Sequence, residues 1–235
     1  MADALDVTLD HVAIAVADVD VALAHWRDAV GGGMVVCETY ELFTYAQVRM
    51  AGGGKLELLG PPPEGGGFVP PFLDRFGPTI HHVTLKVNDL PVAIATVRAG
   101  GHDVVDVQDT SPWWREGFLR PSQVGGLIVQ LAWAAEDDAA LAVRLGLTAS
   151  PPRPSAPRLL GPTLRHPDLD AAARLWTLLG AAVDRAGPRL VCRWTDSPLD
   201  VVVESGAPAG PAALRLSGVV PPMPAALGSP PLDVS

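Results

Sequence analysis

His11 and His82 each stand near the start of a run that alternates polar and apolar residues, in TLDHVAIAVADVD and TIHHVTLKVNDL. Glu57 in KLELLGP and Gln130 in LIVQLAW are each a single polar residue with apolar residues on both sides. A lone carboxylate or amide inside a buried strand is costly unless it is hydrogen-bonded, paired or bound to a cation. Two imidazoles with one or two side-chain oxygens make a donor set for a divalent ion, and zinc, cobalt, nickel, manganese and iron are all compatible with it. Any one of these residues alone is as well explained by structure. Register separates the two explanations, because a shift of 71 places His82 on His11, Asp89 on Asp18 and Ala93 on Ala22. Side chains on a strand alternate between faces, so His81 points away from the face that His82 shares with Thr84. His82, rather than His81, is the counterpart of His11.

Each copy must carry its histidine on a first strand and its second polar residue on a last one. The pattern supplies both: an alternating strand, a helix begun by Asp18 or Asp89 (18–30 and 89–99), a glycine stop, then three short strands. In the first copy the later strands are expected at about 34–38, 43–50 and 55–59, with AGGG at 51–54 as the hairpin turn. In the second they are expected at about 103–107, 116–119 and 127–132, and the joining segment holds a short helix around PPFLDRF. A fainter third copy follows. LLGPTLRHPDLDAAARLW matches the first copy at a shift of 150, with Asp168, Ala172 and Trp176 on Asp18, Ala22 and Trp26, and it has Gly161 at the histidine's place. RLVCRWT and LDVVVES complete it, and PAALRLSGV reads as one strand of an unfinished fourth. The fold expected is α+β. Two paired βαβββ modules occupy 1–135 (about 8–60 and 79–133), a linker 136–157, a degenerate third module 158–220 and a tail 221–235.

A chain of 235 residues with 48% hydrophobic content can bury a large core. The formal charge of −9 and the lack of a Lys/Arg cluster argue against a nucleic-acid partner. The apolar runs are strand-length and no export leader is evident, which argues against a membrane. Cys37 and Cys192 are far apart in sequence, so neither a disulfide framework nor a thiolate metal site is expected. These features point to a cytoplasmic protein, monomeric or homodimeric, that takes a small-molecule substrate.

LDHVAIAVADVDVALAHWRDAVGG, GKLELLGPPPEGGGFVPPFLDRFGPTIHHVTLKVNDL and GFLRPSQVGGLIVQLAW together resemble the vicinal oxygen chelate superfamily of glyoxalases, bleomycin resistance proteins and dioxygenases. Within it they look most like the methylmalonyl-CoA epimerase family, over about residues 8–133. The resemblance implies paired modules forming a cupped mixed sheet around a divalent metal, with His11, Glu57, His82 and Gln130 at the ligand positions. It implies an isomerase, epimerase or lyase that stabilises the enolate of a dicarbonyl or acyl-thioester substrate. The sequence departs from the family at Gln130, where the family carries a glutamate that is both ligand and proton carrier; an amide cannot abstract a proton. The family's His-Pro turn is Arg120-Pro121 here.

Glu57, Glu38, Glu41 and Tyr45 are the remaining candidates for proton transfer. Gln47 and the loop residues Trp113, Trp114 and Arg115, followed by Glu116, are candidates for substrate contact by hydrogen bonding, stacking and charge. His25, His102 and His166 have no counterpart in register and are expected on the surface or in loops. Two histidines and one carboxylate also form the facial triad of non-haem iron(II) oxygenases, which is a second reading. A third is a non-catalytic binding or resistance protein, in which a lost base and an added degenerate module would be natural.

Overall fold

The computed structural model describes residues 5–224 and 230–235. The first module is β1 (Val7–Ala15), α1 (Val19–Ala24) continued by a π turn (His25–Ala29), β2 (Gly33–Thr39), β3 (Thr44–Arg49) and β4 (Lys55–Gly60). Helix α2 (Val69–Phe76) leads to the second module: β5 (Ile80–Val87), α3 (Leu90–Ala99), β6 (Val105–Gln108), β7 (Trp114–Leu119) and β8 (Ile128–Ala134). After α4 (Asp138–Arg144) the third runs through β9 (Arg158–His166), α5 (Leu169–Leu178), β10 (Ala182–Ala186), β11 (Arg189–Arg193) and β12 (Asp200–Ser205). The three module helices α1, α3 and α5 begin the same way. Asp18, Asp89 and Asp168 each accept a hydrogen bond from a first-turn backbone N–H, at 2.9–3.0 Å, satisfying a donor that has no intrahelical partner.

Two sheets result. The larger has the order β2-β3-β4-β1-β5-β8-β7-β6, so the histidine-bearing first strands lie side by side at its middle. β13 (Gly210–Ser217) and β14 (Leu232–Val234) complete the smaller, in the order β10-β11-β12-β9-β13-β14. β13 lies beside β9 as β5 lies beside β1, the place expected for the first strand of a fourth module. No element is expected in the tail, yet Leu232–Val234 pair in parallel with β13. Such a short strand leaves too few residues for an alternating pattern to be visible. Residues 225–229 of the expected tail lie outside the described residues.

The chain divides into two compact units, cut between His11 and Val12 in β1 and between His81 and His82 in β5. One holds most of the first module with α2, α4, β14 and the end of β13; Val12, Ile14, Trp26, Val48, Met50, Leu56 and Leu58 are fully buried in it. Here Val69 of α2 packs against Ala15 and Leu59. The other holds the second and third modules. Val83, Leu85, Val97, Val129 and Leu131 are fully buried in its second module, and in its third Trp176 meets Trp194 edge-on at 5.9 Å. Trp194 donates its indole N–H to the Leu179 carbonyl at 3.0 Å.

Gly161 holds the place that His11 and His82 hold in the other modules, and only glycine fits there. Its φ is +122°, and a β-carbon would run into the Asp200 carbonyl oxygen. Gly161→Ala should therefore cost at least about 1–3 kcal/mol from backbone strain alone. Denaturant unfolding would show it as a lowered midpoint; an unchanged midpoint would mean that β9 relaxes around the methyl group. A histidine at this position is excluded for the same reason, so the third module cannot carry the histidine its counterparts carry.

Candidate metal centre

Pairing across the strands decides which side chains share a face. Glu57 opposes Gln47, Tyr45 opposes both Glu38 and Leu59, and Arg49 opposes Lys55. Opposed residues point to the same side of a sheet. One face of β2–β3–β4 thus carries Glu38, Tyr45, Gln47 and Glu57, while Ala46, Val48, Leu56 and Leu58 fill the other. In the second module Thr84 opposes Gln130, Phe118 opposes Gln130, and Glu116 opposes Ala132. Here too the polar groups share one face, with Val83, Leu85, Val129 and Leu131 on the other.

His11, Glu57 and His82 are buried and each offers a ligand atom, and the three atoms lie within 4.8 Å of one another. The two imidazoles approach edge to face, with ring centroids 5.8 Å apart. Asp10 Oδ2 lies 2.7 Å from His11 Nδ1. A carboxylate only accepts, so Nδ1 carries the proton and Nε2 faces the interior, the arrangement in which an acid orients a metal-binding imidazole. Lys86 Nζ lies 3.4 Å from the other Asp10 oxygen. Thr84 Oγ1 is 2.9 Å from His11 Nε2 and donates to Gln130 Oε1 at 2.5 Å. His11 Nε2, Thr84 Oγ1 and Gln130 Oε1 all present lone pairs to a small region. Together with the Glu57 carboxylate, this is a nitrogen and oxygen set that suits a divalent cation.

Gln47 donates to Glu57 Oε2 at 2.9 Å, so it holds the carboxylate in place. Glu38 Oε2 accepts from the hydroxyls of Tyr40 and Tyr45, both at 3.0 Å. Burial first, and then the Glu38 charge, push the Tyr45 phenol far above its ordinary pKa. Tyr45 stands as a hydrogen-bond donor to Glu38. Glu41 is exposed.

The aromatic loop divides in a way its sequence does not reveal. Trp113 is exposed; Trp114 donates its indole N–H to Glu116 at 2.7 Å, and Glu116 accepts from Gln130 at 2.7 Å. Arg115 opposes Trp133 and stacks over its ring at 4.6 Å, on the face opposite Gln130. It lines a cleft of about 170 Å³ with Asn88, Asp89, Leu90 and Pro91, so it does not join the polar residues around His82. Strand alternation inside β7 separates it from Glu116, its neighbour in sequence.

The other histidines also find definite places. His81 rests against Phe72 and Phe68, with centroids at 4.6 and 5.7 Å, and burial lowers its pKa to about 4. His25, expected at the surface, is buried in the π turn beside Trp26, and its pKa is likewise lowered by burial. It follows the buried Ala22 by three residues, so it lies on the helix's buried side. His102 is half-buried in a loop, and His166, at the end of β9, lies against Gly125.

Asp10, Thr84 and Glu116 join this cluster beyond the residues expected from sequence. Asp10 was legible in principle as an acid adjoining His11. Glu116 was visible only as part of the aromatic loop.

Residues 10–118 match the family model of the Glyoxalase/Bleomycin resistance protein/Dioxygenase superfamily. No curated protein matches the chain. Among solved structures, methylmalonyl-CoA epimerase from Mycobacterium tuberculosis is 30% identical, with a TM-score of 0.50 over 57% of this chain and 91% of that one. A hypothetical protein from Staphylococcus aureus shares the fold over 91% of this chain and 92% of its own, with a TM-score of 0.64 at 10% identity. A hypothetical protein from Bacillus halodurans does so over 56% and 97%, with a TM-score of 0.51 at 22% identity. The repeated modules, the adjacent first strands and the matched segment agree: the chain belongs to the glyoxalase/bleomycin resistance protein/dioxygenase superfamily.

Proposed function

We propose that the protein is a metal-dependent isomerase of the epimerase type, with His11, Glu57 and His82 as ligands and Gln130 beside them. The observation that carries this reading is the convergence of three buried ligand atoms within 4.8 Å. A divalent ion held there supplies Lewis acidity toward the enolate of a dicarbonyl or acyl-thioester substrate. The chain's own groups do the rest. Asp10 orients His11, Gln47 holds Glu57, and Tyr40 and Tyr45 hold Glu38, the ionisable acceptor available to move a proton. The two cysteines are free thiols, which suits a reducing cytoplasm. Metal analysis of protein purified without chelators tests the reading: one equivalent of a divalent ion is expected, and none would overturn it. The same two-histidine, one-carboxylate set also favours a second reading, an iron(II) oxygenase. Substrate-dependent oxygen uptake by the iron-loaded protein would single that one out.

The third module (158–220) serves in this proposal as a metal-free support. It packs closely within its own unit: Leu5 N–H donates to the Leu178 carbonyl at 3.4 Å, Ser197 Oγ to the Leu9 carbonyl at 2.6 Å, and Leu178 lies against Gly100. In the other unit Arg153 N–H donates to the Gly31 carbonyl at 2.7 Å. Truncation after about residue 150 should uncover these surfaces and cause aggregation, seen by size-exclusion chromatography. A truncated chain that remains monodisperse and equally stable would remove this role.

A further inference from the structure

Gln130 stands where a carboxylate is expected, and an amide can turn either of two ends toward the cluster. With its oxygen inward it is a neutral acceptor beside His11 and Thr84. With its nitrogen inward it presents protons to a place that needs lone pairs. Glu116 decides between them. Its carboxylate accepts and does not donate, so the group 2.7 Å away on Gln130 must be the amide nitrogen. The same Oε2 also accepts the Trp114 indole N–H at 2.7 Å, which fixes the carboxylate in turn. The Gln130 oxygen then faces Thr84 Oγ1 at 2.5 Å, and Thr84 reaches His11 Nε2 at 2.9 Å. Trp114, Glu116, Gln130 and Thr84 form one continuous chain of hydrogen bonds, which ends with the Thr84 oxygen facing the lone pair of His11 Nε2.

We propose that Glu116 is a positioning residue of this centre: held by Trp114, it locks the Gln130 amide with its oxygen toward His11 and Thr84, so that Gln130 acts as a fixed neutral oxygen donor. The proposal rests on the metal-binding reading above for its purpose but not for its geometry. The position also answers the loss of charge at residue 130, since a carboxylate remains one hydrogen bond away.

The test has two arms. In the metal-free protein, the side-chain NH₂ signal of Gln130, assigned by its loss in Gln130→Leu, should be shifted by the charged acceptor and protected from solvent exchange. Glu116→Gln keeps the shape but can donate as well as accept. It should remove the shift and speed exchange at least about tenfold, while Glu116→Asp and Trp114→Phe should loosen the signal less. A signal unchanged in Glu116→Gln overturns the lock. In the second arm, cobalt(II) alone is titrated and followed by its visible absorption. Loss of an outer partner of a metal site typically weakens binding about 10–100-fold, and Glu116→Gln is expected in that range with stoichiometry retained. Unchanged cobalt affinity and spectrum would overturn Glu116 as a positioning residue for the metal. If the native protein binds no cobalt, the metal reading fails, and the amide signal alone then decides the lock.

Discussion

His82→Ala is expected to abolish stoichiometric binding of a divalent ion, while His81→Ala leaves it intact. The two residues are neighbours in sequence and both are substantially buried, so composition alone predicts similar outcomes. Strand alternation predicts opposite ones. His82 converges with His11 and Glu57, whereas His81 lies against the rings of Phe72 and Phe68. Losing a direct ligand should exceed the loss caused by removing an outer partner, so affinity should fall by more than about 100-fold. His81→Ala should instead lower thermal stability through lost ring contacts. Cobalt titration and thermal unfolding of both variants separate these effects. Equal loss of metal in both would mean that the register linking His11 to His82 is wrong.

The register was legible because the repeat is written into residues that have no freedom. Asp18, Asp89 and Asp168 recur at the same offset from His11, His82 and Gly161, and each caps its helix through the same backbone contact. Glu57 and Gln130 were visible as polar residues in apolar runs, and both are buried. What sequence concealed depends on side-chain reach. Alternation in β7 sends Arg115 to one face and Glu116 to the other, yet nothing in WWREGF marks where the strand begins. The register that sets Phe118 against Gln130 and Glu116 against Ala132 is what commits Glu116 to Gln130's side. His25 is buried in a π turn, and no composition signal distinguishes that turn from a plain continuation of α1. Gly161 could be aligned with the two histidines from sequence, but the reason it cannot be one of them lies in the Asp200 carbonyl, 39 residues further on.

The hydrogen-bond chain also changes what restoring a carboxylate at position 130 should do. In Gln130→Glu alone, the new group would meet Glu116 where an amide nitrogen now lies 2.7 Å from its oxygen. Two carboxylates that close cannot both ionise without a large penalty, so the pair would hold one proton between them. The companion change Glu116→Gln removes that conflict. In the double variant an amide and a carboxylate still face each other with their places exchanged, and the charge now lies next to Thr84 and His11. A positioned general base is worth about 10²–10⁴-fold. Solvent-deuterium exchange into a methylmalonyl-type thioester, followed by mass spectrometry, should therefore rise by that order in the double variant over the native protein. The single variant should fall between them. If the native protein already exchanges that proton as fast as the double variant, position 130 does not limit proton transfer, and Glu38, held between Tyr40 and Tyr45, becomes the group to replace.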